Sequence, residues 1–215
     1  TVSGNVQTNA GTHTVTVTAA TDSNFTEGTI KTADWTIAQK TITQTNATIV
    51  LGSQLTFNGE PQTKAVSSVT VDGLSLNSND YTISDNAETN AGDYTLTIVG
   101  KGNFNGSATA DWSIAKAEIE NVVIEQNNFT YNGTQQSVTI TSITANGKNW
   151  ADLVAGEDYT VSGNQGTNAG SYTLTIAGKG NFAGTATAGW SIEKAQLKIT
   201  SDASGTYNAQ NHVVV

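Results

Sequence analysis

A stretch of 37 residues occurs twice in this chain almost unchanged. Residues 80–116 match residues 158–194 at 27 positions without a gap. Thr89-Asn90-Ala91-Gly92 returns as Thr167-Asn168-Ala169-Gly170, and stands earlier as Thr8-Asn9-Ala10-Gly11. Trp35, Trp112 and Trp190 follow at intervals of 77 and 78 residues. A chain of near-identical copies folds as a row of like units, each burying its own apolar face. The period of about 78 residues divides the 215 into two full copies, 38–115 and 116–193. Residues 1–37 read as the C-terminal part of a preceding repeat, and 194–215 as the N-terminal part of a following one. The chain begins at Thr1 without Met, which reads as an excised fragment.

Inside each copy the pattern is alternation, the mark of half-buried strands. Tyr94, Leu96 and Ile98 alternate with Thr95, Thr97 and Val99; Tyr172, Leu174 and Ile176 do the same. Ala108, Ala110, Trp112 and Ile114 alternate with polar neighbours. Asn58-Gly59, Asn132-Gly133 and Asn146-Gly147 supply turns with positive φ. Gly100-Lys101-Gly102-Asn103 reads as a hairpin connection with its lysine exposed. Six or seven short strands per copy predict an all-β fold of tandem antiparallel β-sandwich, immunoglobulin-like repeats. A β-grasp-like sheet with a small helix is the alternative, because residues 149–154 carry the one helical hint. Trp35, Trp112 and Trp190 are expected in the core, in phase with small alanines. Tyr94 and Tyr172, each after a tight turn and before alternating apolar residues, have the spacing of a tyrosine corner. His13 takes that position in the first partial copy.

Composition narrows function by exclusion. The net charge is −9 and all nine basic residues are lysine, which argues against nucleic-acid binding. With no cysteine there is no disulfide, zinc–thiolate site or thiol nucleophile. No apolar run approaches the roughly 20 residues of a membrane-spanning helix. Each full copy carries seven acids and three lysines, so charge is spread evenly along the array.

The ordered blocks aromatic-Asn-Gly, Asp-Tyr-Thr, Thr-Asn-Ala-Gly-x-Tyr-Thr-Leu-Thr-Ile, Gly-Lys-Gly-Asn-Phe-x-Gly and Trp-Ser-Ile resemble bacterial surface repeats. These are the MBG or YDG-type domains, found in tandem in large adhesins and other exported proteins. The resemblance spans essentially the whole chain. Departures are Phe57 where Tyr is usual, Tyr207-Asn208-Ala209 without its glycine, and a first copy without Gly-Lys-Gly. The resemblance implies an extracellular, immunoglobulin-like stalk or adhesin role and brings no catalytic residue.

No residue pattern suggests chemistry. His13 and His212 are the two histidines and stand alone, whereas a metal site or catalytic triad needs convergent partners. Asp80, Asp158 and Asp111 precede aromatic residues and read as turn caps, since no calcium-loop spacing surrounds them. The Gly-x-Gly pairs lie between strands, where phosphate loops need a helix. Lys40, Lys116 and Lys194 recur at copy starts, where lysine–asparagine isopeptide bonds form in some adhesins. No asparagine recurs in the closing strand to receive them. Trp150, with Asp152, lies in the four-residue insertion of the second full copy and is the candidate glycan contact.

The expected role is therefore that of extracellular stalk or spacer repeats of a bacterial cell-surface adhesin, with no enzyme activity and no cofactor. The alternative is an adhesive module for a glycan or host surface protein, its site in the loop at 147–158. An accessory domain of an exported enzyme is a third reading. Head-to-tail self-association through the two incomplete terminal repeats is also expected, because they are complementary parts of one unit.

Overall fold

Period-two alternation places every second side chain on one face, and the strands pair so that this face is covered. The computed structural model describes residues 1–28 and 30–198. Contacts divide the chain into two units. Among the described residues, the first comprises 1–117 together with 180–183; the second comprises 118–179 and 184–198.

The first unit is organised around the hairpin of Gly92–Gly100 and Phe104–Ala115, in which Tyr94 lies opposite Trp112 and Ile98 opposite Ala108. Tyr81–Ser84 pairs antiparallel on one side. On the other, Lys40–Ile42 and Leu55–Thr56 run parallel to the two ends of Phe104–Ala115. A second sheet holds Ala47–Leu51, Val66–Val71 and Leu74–Ser75. Ile42, Phe104 and Ala108 of the first sheet meet Val71 of the second, with Ala47, Ile49 and Leu76 packed against them. Two sheets sharing one core make a sandwich. Burying a side chain such as Leu96 fully is worth about 1.5–3 kcal/mol, and Leu96, Ile98 and Val71 are all fully buried.

The same unit contains a separate three-stranded sheet of Val2–Ser3, Gly11–Thr18 and Ile30–Ile37. Its Trp35 is only half-buried, unlike Trp112 and Trp190. The expectation that all three tryptophans lie in a core thus fails for Trp35. The apolar residues Val2, Val17 and Ile30 of this sheet are exposed as well. Val17 holds the place that Ile98 holds in the next copy, counted from the Thr-Asn-Ala-Gly turn, and Ile98 is fully buried.

The second unit repeats the plan. Asn128–Thr130, Thr185–Glu193, Gly170–Gly178 and Tyr159–Ser162 form one sheet in that order. Lys148–Trp150, Ile140–Ala145 and Ala117–Ile124 are successive strands of another. Buried positions again fall on alternate residues, Leu174 and Ile176 on one sheet, Ile143 and Ala145 on the other.

All-β tandem sandwiches are what the alternation predicts, and three details differ from the sequence reading. The sheets are mixed, since Asn128–Thr130 also runs parallel to its neighbour. Among the described residues there is no helix, which removes the β-grasp alternative. Residues 148–150 are instead the return strand of a hairpin. Asn146 and Gly147 both take positive φ, 48° and 71°, as do Asp72 and Gly73 at 48° and 80°. Two successive left-handed residues make the turn whose twist suits a two-residue hairpin, so the chain turns back as strand. The third difference concerns Asn58-Gly59 and Asn132-Gly133. There only the glycines have positive φ, and each asparagine caps the turn through its side chain. Asn58 Oδ1 accepts from the Glu60 N–H at 2.8 Å, and Asn132 Oδ1 from the Thr134 N–H at 2.9 Å. Tyr207, His212 and most of the expected terminal part at 194–215 lie outside the described residues.

Candidate functional site

The most regular constellation is aromatic and occurs three times. A residue four beyond the turn asparagine reaches back to that asparagine's carbonyl. Tyr94 donates its hydroxyl to Asn90 O at 2.7 Å, and Tyr172 to Asn168 O at 2.6 Å. His13 Nε2 lies 2.8 Å from Asn9 O and donates to it. Each ring packs on the tryptophan across the hairpin, with centroids 5.0 Å apart for Tyr94–Trp112, 4.5 Å for Tyr172–Trp190 and 5.2 Å for His13–Trp35. Each indole N–H then reaches across the tyrosine or histidine strand and donates to a carbonyl one residue past the end of the strand beyond it. The acceptors are Gly4 at 3.2 Å, Asp85 at 3.2 Å and Gly163 at 2.9 Å. These three residues share a left-handed backbone, with φ of 73°, 59° and 69°. The left-handed kink turns the carbonyl toward the indole, and glycine or aspartate adopts it at least cost. The constellation gives the indole N–H and the tyrosine hydroxyl or histidine N–H partners within the fold.

The candidate glycan contact takes a different place from the one its sequence position suggests. Trp150 lies opposite Ile143 in the hairpin, in the position that Leu76 holds in the first unit. The inserted residues follow it, at 151–154. Its indole N–H donates to Ala145 O at 3.1 Å, and the Lys148 ammonium sits 4.3 Å from the ring centroid. Trp150 is half-buried and lines a recess of about 70 Å³ with Ile140, Leu153 and Tyr159. Ligand pockets run to roughly 300–1,000 Å³. Asp152 is exposed and does not line that recess.

The acids divide by position. Asp80 Oδ2 accepts from the Asn77 N–H at 2.8 Å, and Asp158 Oδ2 from the Val154 N–H at 2.9 Å, so both cap turns. Asp111 does not. It stands mid-strand and accepts the Thr95 hydroxyl across the hairpin at 2.8 Å, as Asp34 accepts that of Thr14 at 2.7 Å. Alternation puts it on the outer face, where a threonine is the nearest donor. Among the described residues no three His, Asp or Glu converge on a common point. Lys40 forms an ion pair with Asp72 at 2.8 Å, and Lys116 is exposed. No helix among the described residues is long and apolar enough to cross a membrane.

One pairing escaped the sequence reading. In the first unit the Thr-Asn-Ala-Gly turns hold asparagines from the Gly-x-Gly-Asn-Phe connections. The Ala10 N–H donates to Asn103 Oδ1 at 2.7 Å, and Asn103 Nδ2 donates to Asn9 Oδ1 at 3.1 Å. The Ala91 N–H donates to Asn181 Oδ1 at 2.9 Å, and Asn181 Nδ2 to Asn90 Oδ1 at 3.1 Å. A side-chain amide offers one acceptor and two donors, so it bridges a backbone N–H and a second amide together. The signal was present in the sequence, since both asparagines recur with their motifs. What the sequence lacked was that the two motifs, more than 90 residues apart, come together.

The profile of the MBG domain family matches residues 47–118 and again 121–196. No curated protein matches the chain by sequence.

Proposed function

The chain belongs to the MBG domain family, and from that premise we propose that it is a structural spacer, repeats that project a binding region of a bacterial cell-surface adhesin. The observation that carries this reading is the threefold return of one aromatic constellation whose polar groups are spent on the fold itself. A binding module concentrates differences in the loops at one end. Here the inserted loop of the second full copy, 151–154, leaves Trp150 tied to its own hairpin by a hydrogen bond and a cation–π contact. Low charge density and threonine-rich outer faces suit a solvent-facing spacer, and spread acids suit mutual solubility rather than a focused site.

The test has two parts. Antibodies against the chain label intact producing cells, and protease shaves the epitope from them. The whole chain, presented to a glycan array and to extracellular-matrix proteins, shows no saturable binding. Saturable binding that Trp150→Ala abolishes would replace the spacer reading with the adhesive one, and label confined to lysed cells would overturn the surface assignment.

A further inference from the structure

The chain holds four Asn-Gly pairs, at 58–59, 105–106, 132–133 and 146–147. This dipeptide carries its own reaction. The glycine nitrogen, with no side chain to hinder it, attacks the amide carbon of the preceding asparagine and expels ammonia. All four asparagines are exposed, so access of water does not separate them. Their hydrogen bonds do.

Asn105 and Gly106 lie inside the strand Phe104–Ala115 and pair with Thr41 and Ile42. The ladder fixes that peptide, and the Asn105 amide donates to Gln39 Oε1 at 3.3 Å. Asn146 and Gly147 form the two-residue turn of a hairpin. There the Gly147 N–H donates to Glu120 Oε2 at 3.0 Å. A carboxylate beside that nitrogen opposes removal of its proton.

Asn58 and Asn132 stand outside the strands, at equivalent places of the two full copies. Each folds its side chain over its own Asn-Gly peptide. Asn58 Oδ1 accepts from the Glu60 N–H at 2.8 Å. Asn132 Oδ1 accepts from both the N–H and the hydroxyl of Thr134, each at 2.9 Å. The ring closed by such a bond sets the amide carbon beside the glycine nitrogen. The donors also sit where negative charge develops on that oxygen during attack. Among the described residues neither the Gly59 nor the Gly133 N–H is tied to an acceptor. Asn58 is exposed even though Phe57 beside it is buried against Phe182, so a covered neighbour does not close the site.

We propose that Asn58 and Asn132 are sites of spontaneous backbone modification, each converting through a cyclic imide to isoaspartate and aspartate, while the fold protects Asn105 and Asn146. Solvent hydroxide takes the glycine N–H proton. The nitrogen bonds to the asparagine Cγ, the Cγ–Nδ2 bond breaks, and Nδ2 leaves as ammonia with a proton from water, which regenerates the hydroxide. Water then opens the imide. Opening at the backbone carbonyl leaves the chain running through the side-chain carbon, which is isoaspartate; opening at the side-chain carbonyl gives aspartate. Each event adds one negative charge to the turn. The inference stands apart from the spacer role, since it concerns only the chemistry of the folded chain.

The whole chain is kept folded in neutral buffer and sampled over weeks, with peptide mapping by mass spectrometry at the four sites. Methyl transfer by an isoaspartyl methyltransferase identifies the isoaspartate product. The imide, like an isopeptide bond, has lost one ammonia, but it opens in mild base. Asn58 and Asn132 convert, and Asn105 and Asn146 convert at least about tenfold more slowly, the worth of one good hydrogen bond. In urea the four pairs lose their structure and the four rates converge. Thr134→Val removes the hydroxyl donor at an exposed position. It slows Asn132 about three- to tenfold in the folded chain and leaves Asn58 and the rates in urea unchanged. Equal rates at Asn146 and the two proposed sites in the folded chain overturn the proposal. So does a folded chain whose Asn58 and Asn132 stay intact while the chain in urea reacts, and so does Thr134→Val with the parent's rate at Asn132.

Discussion

At the scale of single residues, the tryptophan–tyrosine pair recurs in both full copies. The Trp190 indole is 3% exposed and donates to Gly163 O. Trp190→Phe keeps most of the apolar contact and strands that carbonyl, a loss of about 1–3 kcal/mol. Trp190→Ala adds a cavity and costs about 3–5 kcal/mol. Urea unfolding followed by circular dichroism distinguishes the two, and an unchanged stability for Trp190→Phe would mean that the N–H bond contributes nothing. Glycines offer a second contrast. Gly102 and Gly106 both have positive φ, 66° and 75°. A Cβ on Gly102 meets nothing within 4 Å, but on Gly106 it would stand 2.4 Å from Ile42 O. Gly102→Ala therefore costs about 1–2 kcal/mol, the left-handed penalty alone. Gly106→Ala costs more, because the parallel strand Lys40–Ile42 must move away. Comparable losses for the two would show that this edge strand yields freely. The lysines at the copy starts are expected to remain unreacted. Intact-mass spectrometry should return the sequence mass, and a deficit of one ammonia would reveal an isopeptide bond.

At the scale of elements, the two units show how one hairpin tolerates two different connections. Leu76 and Trp150 hold the same position on the return strand, after turns built on Asp72-Gly73 and Asn146-Gly147. Beyond Trp150 the chain takes four more residues to reach Asp158 than it takes from Leu76 to Asp80. Both aspartates then cap the entry to the next strand. The insertion is thus a surface detour between fixed points, and loop length costs little entropy. Replacing residues 151–157 by Asn-Ser-Asn, the sequence at 77–79, should leave thermal stability within about 1 kcal/mol of the parent. Collapse of the fold on this exchange would show instead that the insertion packs as part of the core.

At the scale of the whole molecule, the net charge is −9, and among the described residues the acids do not gather around a common point that could hold a cation. Melting in calcium and in a chelator should therefore give the same midpoint. A rise of several degrees with calcium would reveal a site, since ligand binding to the folded state alone raises stability by mass action. Moderate salt should raise the midpoint slightly at neutral pH, because it screens repulsion among 18 acids set against 9 lysines. A midpoint that falls with salt would mean that ion pairs such as Lys40–Asp72 outweigh the repulsion.

Alternation, turn chemistry and repetition are local properties, and they were enough for the all-β class, the tandem organisation and the family. A strand's period and a turn's left-handed residue depend on neighbours a few positions away, so the sequence by itself determined them. The tertiary structure decided everything that depends on which distant segment covers a surface. Trp35 matches Trp112 in its motif and not in burial, because burial is set by the sheet across from it. Trp150 reads as a loop aromatic until its pairing with Ile143 places it on a strand. The helical hint at 149–154 gave way to a hairpin because two left-handed residues at 146 and 147 fold the chain back before a helical turn can form. The asparagine pairing is legible as two recurrent motifs, but their meeting is a matter of register between segments more than 90 residues apart, and no local rule carries that distance.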